Sequence, residues 1–197
     1  DAFGNLIGQT LAKGKAEERI ESFTYDGNNR LASQTNAEGE VTRFEYDGAG
    51  NRTKIIVAEG LPGQRVQTFE YDRDHRVAAE IDGNGVRTEY RYDGMGNRTD
   101  IFQAVNRAGE TRHSVYTYDK DGNLLSVTDP MGGVSRFEYD ATGNQTQITG
   151  VNGAVTSNTY DALGRLLTTI SNAGGADGVG PASVEGKLGQ RFGDLIL

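Results

Sequence analysis

Twenty-eight carboxylates, two histidines and no cysteine bound the chemistry open to this chain of 197 residues. Glycoside hydrolysis needs two carboxylates at a controlled separation, one with a raised pKa. Glu45, Glu70 and Glu138 stand among basic neighbours and read as a solvated charge ladder rather than such a pair. Ser-His-Asp chemistry fares no better: His75 falls in a turn, His113 in the return from a long loop, and no G-x-S-x-G elbow is present. "DKDGN" at 119 has the look of a calcium loop, but that loop needs Gly at its sixth position and Glu at its twelfth. Here Gly122 is fourth and Pro130 twelfth. Asn51, Asn97 and Asn144 each begin an N-x-Thr sequence, the glycan acceptor pattern. They also share one place just after a turn glycine, which backbone geometry explains without sugar. Rows of Phe and Tyr stack sugars on some β-surfaces, yet their regular position beside Thr on an uncharged face reads as lining. No catalytic residue, cofactor or metal is assigned.

The elements that hold these residues follow from composition and repetition. The net charge of -8 repels phosphate backbones, so nucleic acid is not an expected partner. No apolar run approaches the ~18 residues of a membrane span, and "DAFGNLIG" has neither the basic start nor the apolar stretch of a signal peptide. Lack of cysteine removes disulfides, thiolate nucleophiles and Cys-ligated zinc together.

Tyr-Asp occurs seven times, at Tyr25–Asp26, Tyr46–Asp47, Tyr71–Asp72, Tyr92–Asp93, Tyr118–Asp119, Tyr139–Asp140 and Tyr160–Asp161, with spacings of 21, 25, 21, 26, 21 and 21. Asp1 lies 25 before Asp26 and extends the series backward, so the opening reads as a repeat without its Tyr and the chain as part of a longer one. Gly stands three residues after most of these aspartates, as Gly50, Gly96, Gly122, Gly143 and Gly164. An Asp that accepts from backbone N–H groups ahead of it, followed by a residue at positive φ, describes a type I turn with a left-handed fourth residue. That is a common hairpin connection. Asn29 and His75 replace the glycine in two repeats, and both types are enriched at positive φ. Ten residues after each Asp a second turn is expected, at "NAEG" 36, "DGNG" 82, "DPMG" 129 and "SNAG" 171. "AEGLPGQ" and "AVNRAGE" carry the extra residues of the longer repeats on that same edge. "GNRT" or "GNQT" alternates with "RLA", "RVA" or "NLL" after the turn, so the full unit is a pair of hairpins, 46 or 47 residues long.

The strand entering each Tyr-Asp alternates. In "VTRFEYD", Thr42, Phe44 and Tyr46 point one way while Arg43 and Glu45 point the other. Phe23, Phe44, Phe69, Tyr90, Tyr116 and Phe137 form a column two residues before the tyrosines, broken only by Asn158. A lone hairpin is marginal in water, whereas stacked identical rungs support one another. The expected fold is all-β: stacked antiparallel hairpins in a curved ribbon of roughly sixteen strands at ~4.8 Å spacing.

Tyr-Asp, x-x-Gly-Asn/Arg, a second Asx/Gly turn and a return to aromatic-x-Tyr-Asp resembles the YD repeat of Rhs proteins, with "YDALGRLLTT" and "YDKDGNLLSVTDPMGG" the nearest matches. The resemblance covers residues 1–174. It implies a segment of a β-shell in a large, secreted or surface-exposed protein, acting structurally to enclose a C-terminal toxin. Further repeats of the same parent chain and the enclosed toxin domain are then the partners. Teneurins are similar and use a related shell in adhesion, so a surface carbohydrate-binding or adhesion module with a cell-surface glycan as partner is the rival reading. Rhs cores usually close with a motif rich in "DPxGL" and "YxYxxNNP", and nothing similar stands here. Residues 175–197 are Gly-rich and lose the Tyr-Asp register, open between a frayed tail, a linker and a degenerate repeat.

Overall fold

The computed structural model describes residues 1–11, 13–14 and 19–172. Every helix or strand among them is a strand, fifteen in number, so the all-β expectation holds. The chain divides into two compact units, Asp1–Tyr90 with Phe102–Thr111, and Arg91–Ile101 with the chain from Arg112 onward. The first carries β1 (Gly8–Leu11), β2 (Arg19–Tyr25), β3 (Leu31–Thr35), β4 (Val41–Tyr46), β5 (Arg52–Val57), β6 (Arg65–Tyr71), β7 (Val77–Ile81) and most of β8 (Arg87–Tyr92). The second carries most of β9 (Arg98–Gln103), then β10 (Arg112–Tyr118), β11 (Leu124–Thr128), β12 (Val134–Tyr139), β13 (Gln145–Thr149), β14 (Val155–Tyr160) and β15 (Leu166–Asn172). Within each unit the strands lie side by side in chain order, as hairpins dictate. Two expectations fall wholly or partly outside the described residues: the 175–197 segment and the sixteenth strand. The turn expected at "SNAG" does not begin at 171, because Ser171 and Asn172 still pair with Thr156 and Val155.

The Tyr-Asp position has a feature that hydrophobic alternation does not reveal. Glu45 lies opposite Lys54, but Tyr46 lies opposite Arg52, so Thr53 is an extra residue in the ladder. The same shift precedes Tyr25, Tyr71, Tyr118, Tyr139 and Tyr160. A bulge sharpens the local twist and takes one backbone group out of the ladder. It also lets Tyr46 and Phe44 share a face with Arg52 and Ile55, three residues apart.

Direct cross-strand partners share a face. The aromatic column therefore meets Gln34, Ile55, Glu80, Val127 and Ile148 across from Phe23, Phe44, Phe69, Tyr116 and Phe137. Its rings are only half-buried. Among the described residues, the buried side chains are Ile56, Ala58 and Ala79 at 4%, 7% and 1% exposure. Ile56 is paired with Arg43, and Ala79 with Glu70 on one side and Glu89 on the other, so both belong to the charged face. This corrects the reading of that face as simply solvated. Long charged side chains cover apolar neighbours with their stems while their heads pair above. Arg43 meets Glu45 and Glu59 at 3.0 and 3.1 Å, and Arg87 meets Glu70 and Glu89 at 2.6 and 2.8 Å.

The two long loops use non-glycine residues at positive φ, Ala58 at 53° and Ala104 at 54°. Each bends the chain so that the next N–H returns to the facing strand: Glu59 donates to the Val41 carbonyl at 2.9 Å, Val105 to the Arg87 carbonyl at 3.1 Å. Neither is a residue type that sequence reading marks for that conformation.

Candidate functional site

The repeated Tyr-Asp turn is the most strongly built feature of the molecule. At Asp47, the carbonyl accepts from Gly50 N–H at 3.2 Å, and the Asp47 N–H donates to the Asn51 carbonyl at 2.9 Å. Oδ1 of Asp47 accepts from the N–H groups of Ala49 and Asn51, both at 2.9 Å, and Oδ2 from the Asn51 side-chain amide at 2.9 Å. Gly50 takes φ 94°, which is why glycine recurs there. The turns at Asp1, Asp26, Asp72, Asp93, Asp119, Asp140 and Asp161 repeat this pattern. The side chain four residues on returns to the carboxylate either as Asn (Asn5, Asn97, Asn123, Asn144) or as Arg (Arg30, Arg76, Arg165).

Donors aimed at an ionised carboxylate hold its pKa down. The Asn side-chain amide is the main cause at Asp47, Asp93, Asp119 and Asp140, the last lowered to about 2. The backbone N–H of Arg30, Arg76 and Arg165 is the main cause at Asp26, Asp72 and Asp161.

Five of the tyrosine hydroxyls tie their hairpin to the one before it. Tyr25 donates to the Leu6 carbonyl, Tyr46 to Leu31, Tyr71 to Arg52, Tyr118 to Arg98 and Tyr160 to Gln145, at 2.8–3.0 Å. Each acceptor stands five residues after the aspartate of the preceding turn, and Leu31, Arg52 and Gln145 stand at its bulge. Sequence reasoning missed this bond, though a signal was present. The position before Asp is Tyr in all seven cases, while two residues earlier Phe, Tyr and Asn all occur. Asn158 shows how the column tolerates its exception: its amide donates to the Gln145 carbonyl at 3.1 Å and its oxygen accepts from Thr169 Oγ1 at 2.8 Å.

Consecutive turns also lock together. The side chains of Asn5, Asn51, Asn97 and Asn144 lie against the left-handed residue of the next turn. Asn5 donates to Asn29 Oδ1, and Asn51 meets His75 Nδ1 at 3.0 Å. A Cβ placed on Gly122 or Gly164 would lie 3.7 Å from Asn97 Oδ1 or 3.3 Å from Asn144 Oδ1. Asn29 and His75, at φ 64° and 62°, thus stand where a preceding Asn gives a polar side chain a partner. The Arg turn works differently: Arg30 Nη1 donates to the Asp47 carbonyl at 3.0 Å, and its guanidinium lies 4.5 Å over the Tyr46 ring.

The repeat is matched independently by a family model described as RHS Repeat, over residues 25–62, 71–101, 118–155 and 142–177. The chain belongs to the RHS repeat family. A search of the curated proteins gives no match. Among solved structures, the RHS chain is similar in fold to one titled as the crystal structure of TcdB2-TccC3, at TM-score 0.73 and 19% identity, covering 88% of this chain and 11% of that one. It is similar to a Tc holotoxin pore from Photorhabdus luminescens at TM-score 0.71 and 20% identity, and to TcdB2-TccC3 without its hypervariable C-terminal region at 0.70 and 20%. Both cover 88% of this chain and 10% of theirs, so the chain spans about a tenth of the structures it resembles.

Within the RHS repeat, the residues first considered for chemistry have structural partners. Glu45 and Glu70 face Arg43, Lys54 and Arg87, and the Arg87 hydrogen bonds lower the Glu70 pKa, opposite to what a general acid needs. His113 belongs to β10, with Nε2 2.8 Å from Asp100 Oδ1. Both oxygens of Asp119 are taken by its own turn, from the N–H groups of Asp121 and Asn123 and the Asn123 amide. The Asn51, Asn97 and Asn144 amides, the atoms a glycan would need, donate to Asp47, Asp93 and Asp140. A recess of about 340 Å³ lined by Tyr92, Gly96, Arg98, Ile101, Tyr116 and Tyr118 lies on the aromatic face where two successive repeats meet.

Proposed function

We propose that this RHS segment is a non-catalytic length of wall in a larger secreted protein, and that the wall encloses a C-terminal toxin or effector until delivery. The observation that carries it is the unlikeness of the two faces within the first unit. One is a paired charge lattice over Ile56 and Ala79; the other carries a column of half-buried rings. Half-covered rings suit a surface turned toward contents, and paired charges suit one turned toward water. The fold likeness to TcdB2-TccC3, a structure also known without its hypervariable C-terminal region, supports the same reading.

Protease challenge of the parent protein tests it. The domain that follows the repeats should resist digestion in the intact protein and be cut rapidly when expressed alone. Equal cleavage in both forms would reject enclosure. The half-exposed rings also suit a surface glycan site. That rival would show as saturable glycan binding by this chain, lost in Phe44→Ala with the fold retained.

A further inference from the structure

The geometry points to Arg165 as a docking residue that recognises an incoming Tyr-Asp hairpin at the β15 edge. Three turns in the molecule return an arginine to their aspartate. Their Nε–Oδ2 distances are 2.8 Å for Arg30 to Asp26, 2.7 Å for Arg76 to Asp72 and 2.7 Å for Arg165 to Asp161. The side chains of Arg30 and Arg76 are 25% and 29% exposed, whereas that of Arg165 is 74% exposed. The head group is oriented alike in all three, and the cover differs.

Arg30 shows what supplies the cover. The next hairpin lays the Tyr46 ring 4.5 Å from the guanidinium and presents the Asp47 carbonyl to Nη1 at 3.0 Å. A planar guanidinium held by a carboxylate can stack on a ring with its face and donate with its remaining N–H groups, without losing the first partner. Arg165 is in that prepared state, and among the described residues no strand follows β15. Its missing partner is a hairpin entered by aromatic-x-Tyr-Asp, the ring for the guanidinium face and the aspartate carbonyl for Nη1. The edge itself is receptive, since Leu166–Asn172 contains no charge and no proline. An Asn turn such as that of Asn5 or Asn51 would make no such demand, because its side chain reaches the left-handed residue instead. The Arg turn therefore selects the tyrosine, and the Asn turn selects the residue four beyond it. This inference rests on hairpin stacking and is independent of what the wall encloses.

The probe is a fluorescent peptide of residues 41–57, the hairpin that Arg30 grips, titrated with the full 197-residue chain. Anisotropy should rise to saturation. Arg165→Ala should weaken binding at least tenfold, and Arg165→Lys several-fold, because an ammonium cannot stack flat while held by Asp161. In the peptide, Tyr46→Ala should weaken binding more than Tyr46→Phe, which keeps the ring. Circular dichroism of each variant confirms an unchanged fold. Equal affinity for the chain and Arg165→Ala would overturn the proposal in favour of edge pairing through backbone alone, and absence of saturable binding would overturn it outright. Neither result bears on the protease test of enclosure.

Discussion

The hydroxyl of Tyr71 donates to the backbone carbonyl of Arg52 at 2.9 Å, joining a turn to the bulge of the preceding hairpin. Each such bond spans two hairpins and so resists their separation, which bonds within one hairpin cannot do. Tyr71→Phe should cost about 1 kcal/mol, the usual net value of an intramolecular hydrogen bond. Urea denaturation should show the loss in the midpoint with the slope unchanged. A Tyr71→Phe protein as stable as its parent would mean that the carbonyl is equally well served by water.

Gly96 adopts φ 91° and Asn29 φ 64°. Gly96→Val places a β-branched residue where L side chains are strained by about 1–3 kcal/mol. Asn29→Gly relieves a mild bias but forfeits the contact with Asn5, so the two effects nearly offset. Thermal melts should separate the variants by several degrees, Gly96→Val the lower. Gly122→Asn should stay near the parent, since Asn tolerates this conformation and Asn97 lies within reach.

Acid should unfold the protein late. The carboxyls of Asp26, Asp47, Asp72, Asp93, Asp119, Asp140 and Asp161 ionise below their ordinary value of 3.8, to about 2 at Asp140. They remain charged in the fold at a pH where the unfolded chain has begun to take up protons, so stability is drawn from them whenever pH exceeds about 4. It drains as pH falls through the folded values. Melting temperature should be flat from neutrality to about pH 4 and drop steeply toward pH 2. Asp140→Asn should shrink that drop, since one titrating group is gone.

Phe44 is half-buried, packed against Ile55 across the ladder with Arg52 5.6 Å over its ring. Complete burial would make Phe44→Ala cost about 3–5 kcal/mol. With one ring face still open, a cost of about 2 kcal/mol is expected by chemical denaturation. A loss of the full amount would show that the ring is covered in solution more than its position among the strands implies.

By itself the sequence determined the hairpins, the turn residues and the family. Those features are local: an Asp, a left-handed fourth residue and a period of two act over ten residues or fewer, and each is printed seven times. Asn29 and His75 were readable as left-handed for the same reason. Tertiary structure decided what depends on a neighbouring hairpin, through contacts 15 to 25 residues apart. The hydroxyl that crosses to the previous hairpin and the Asn or Arg that reaches the next turn arise only when hairpins lie side by side. It also decided which face is better sealed. Alternation assigns residues to two sides but cannot say that arginine and glutamate stems will cover Ile56 and Ala79 more fully than phenylalanines cover one another. That outcome depends on the reach of long side chains across 4.8 Å rungs, a distance that exists only once the ladder has formed.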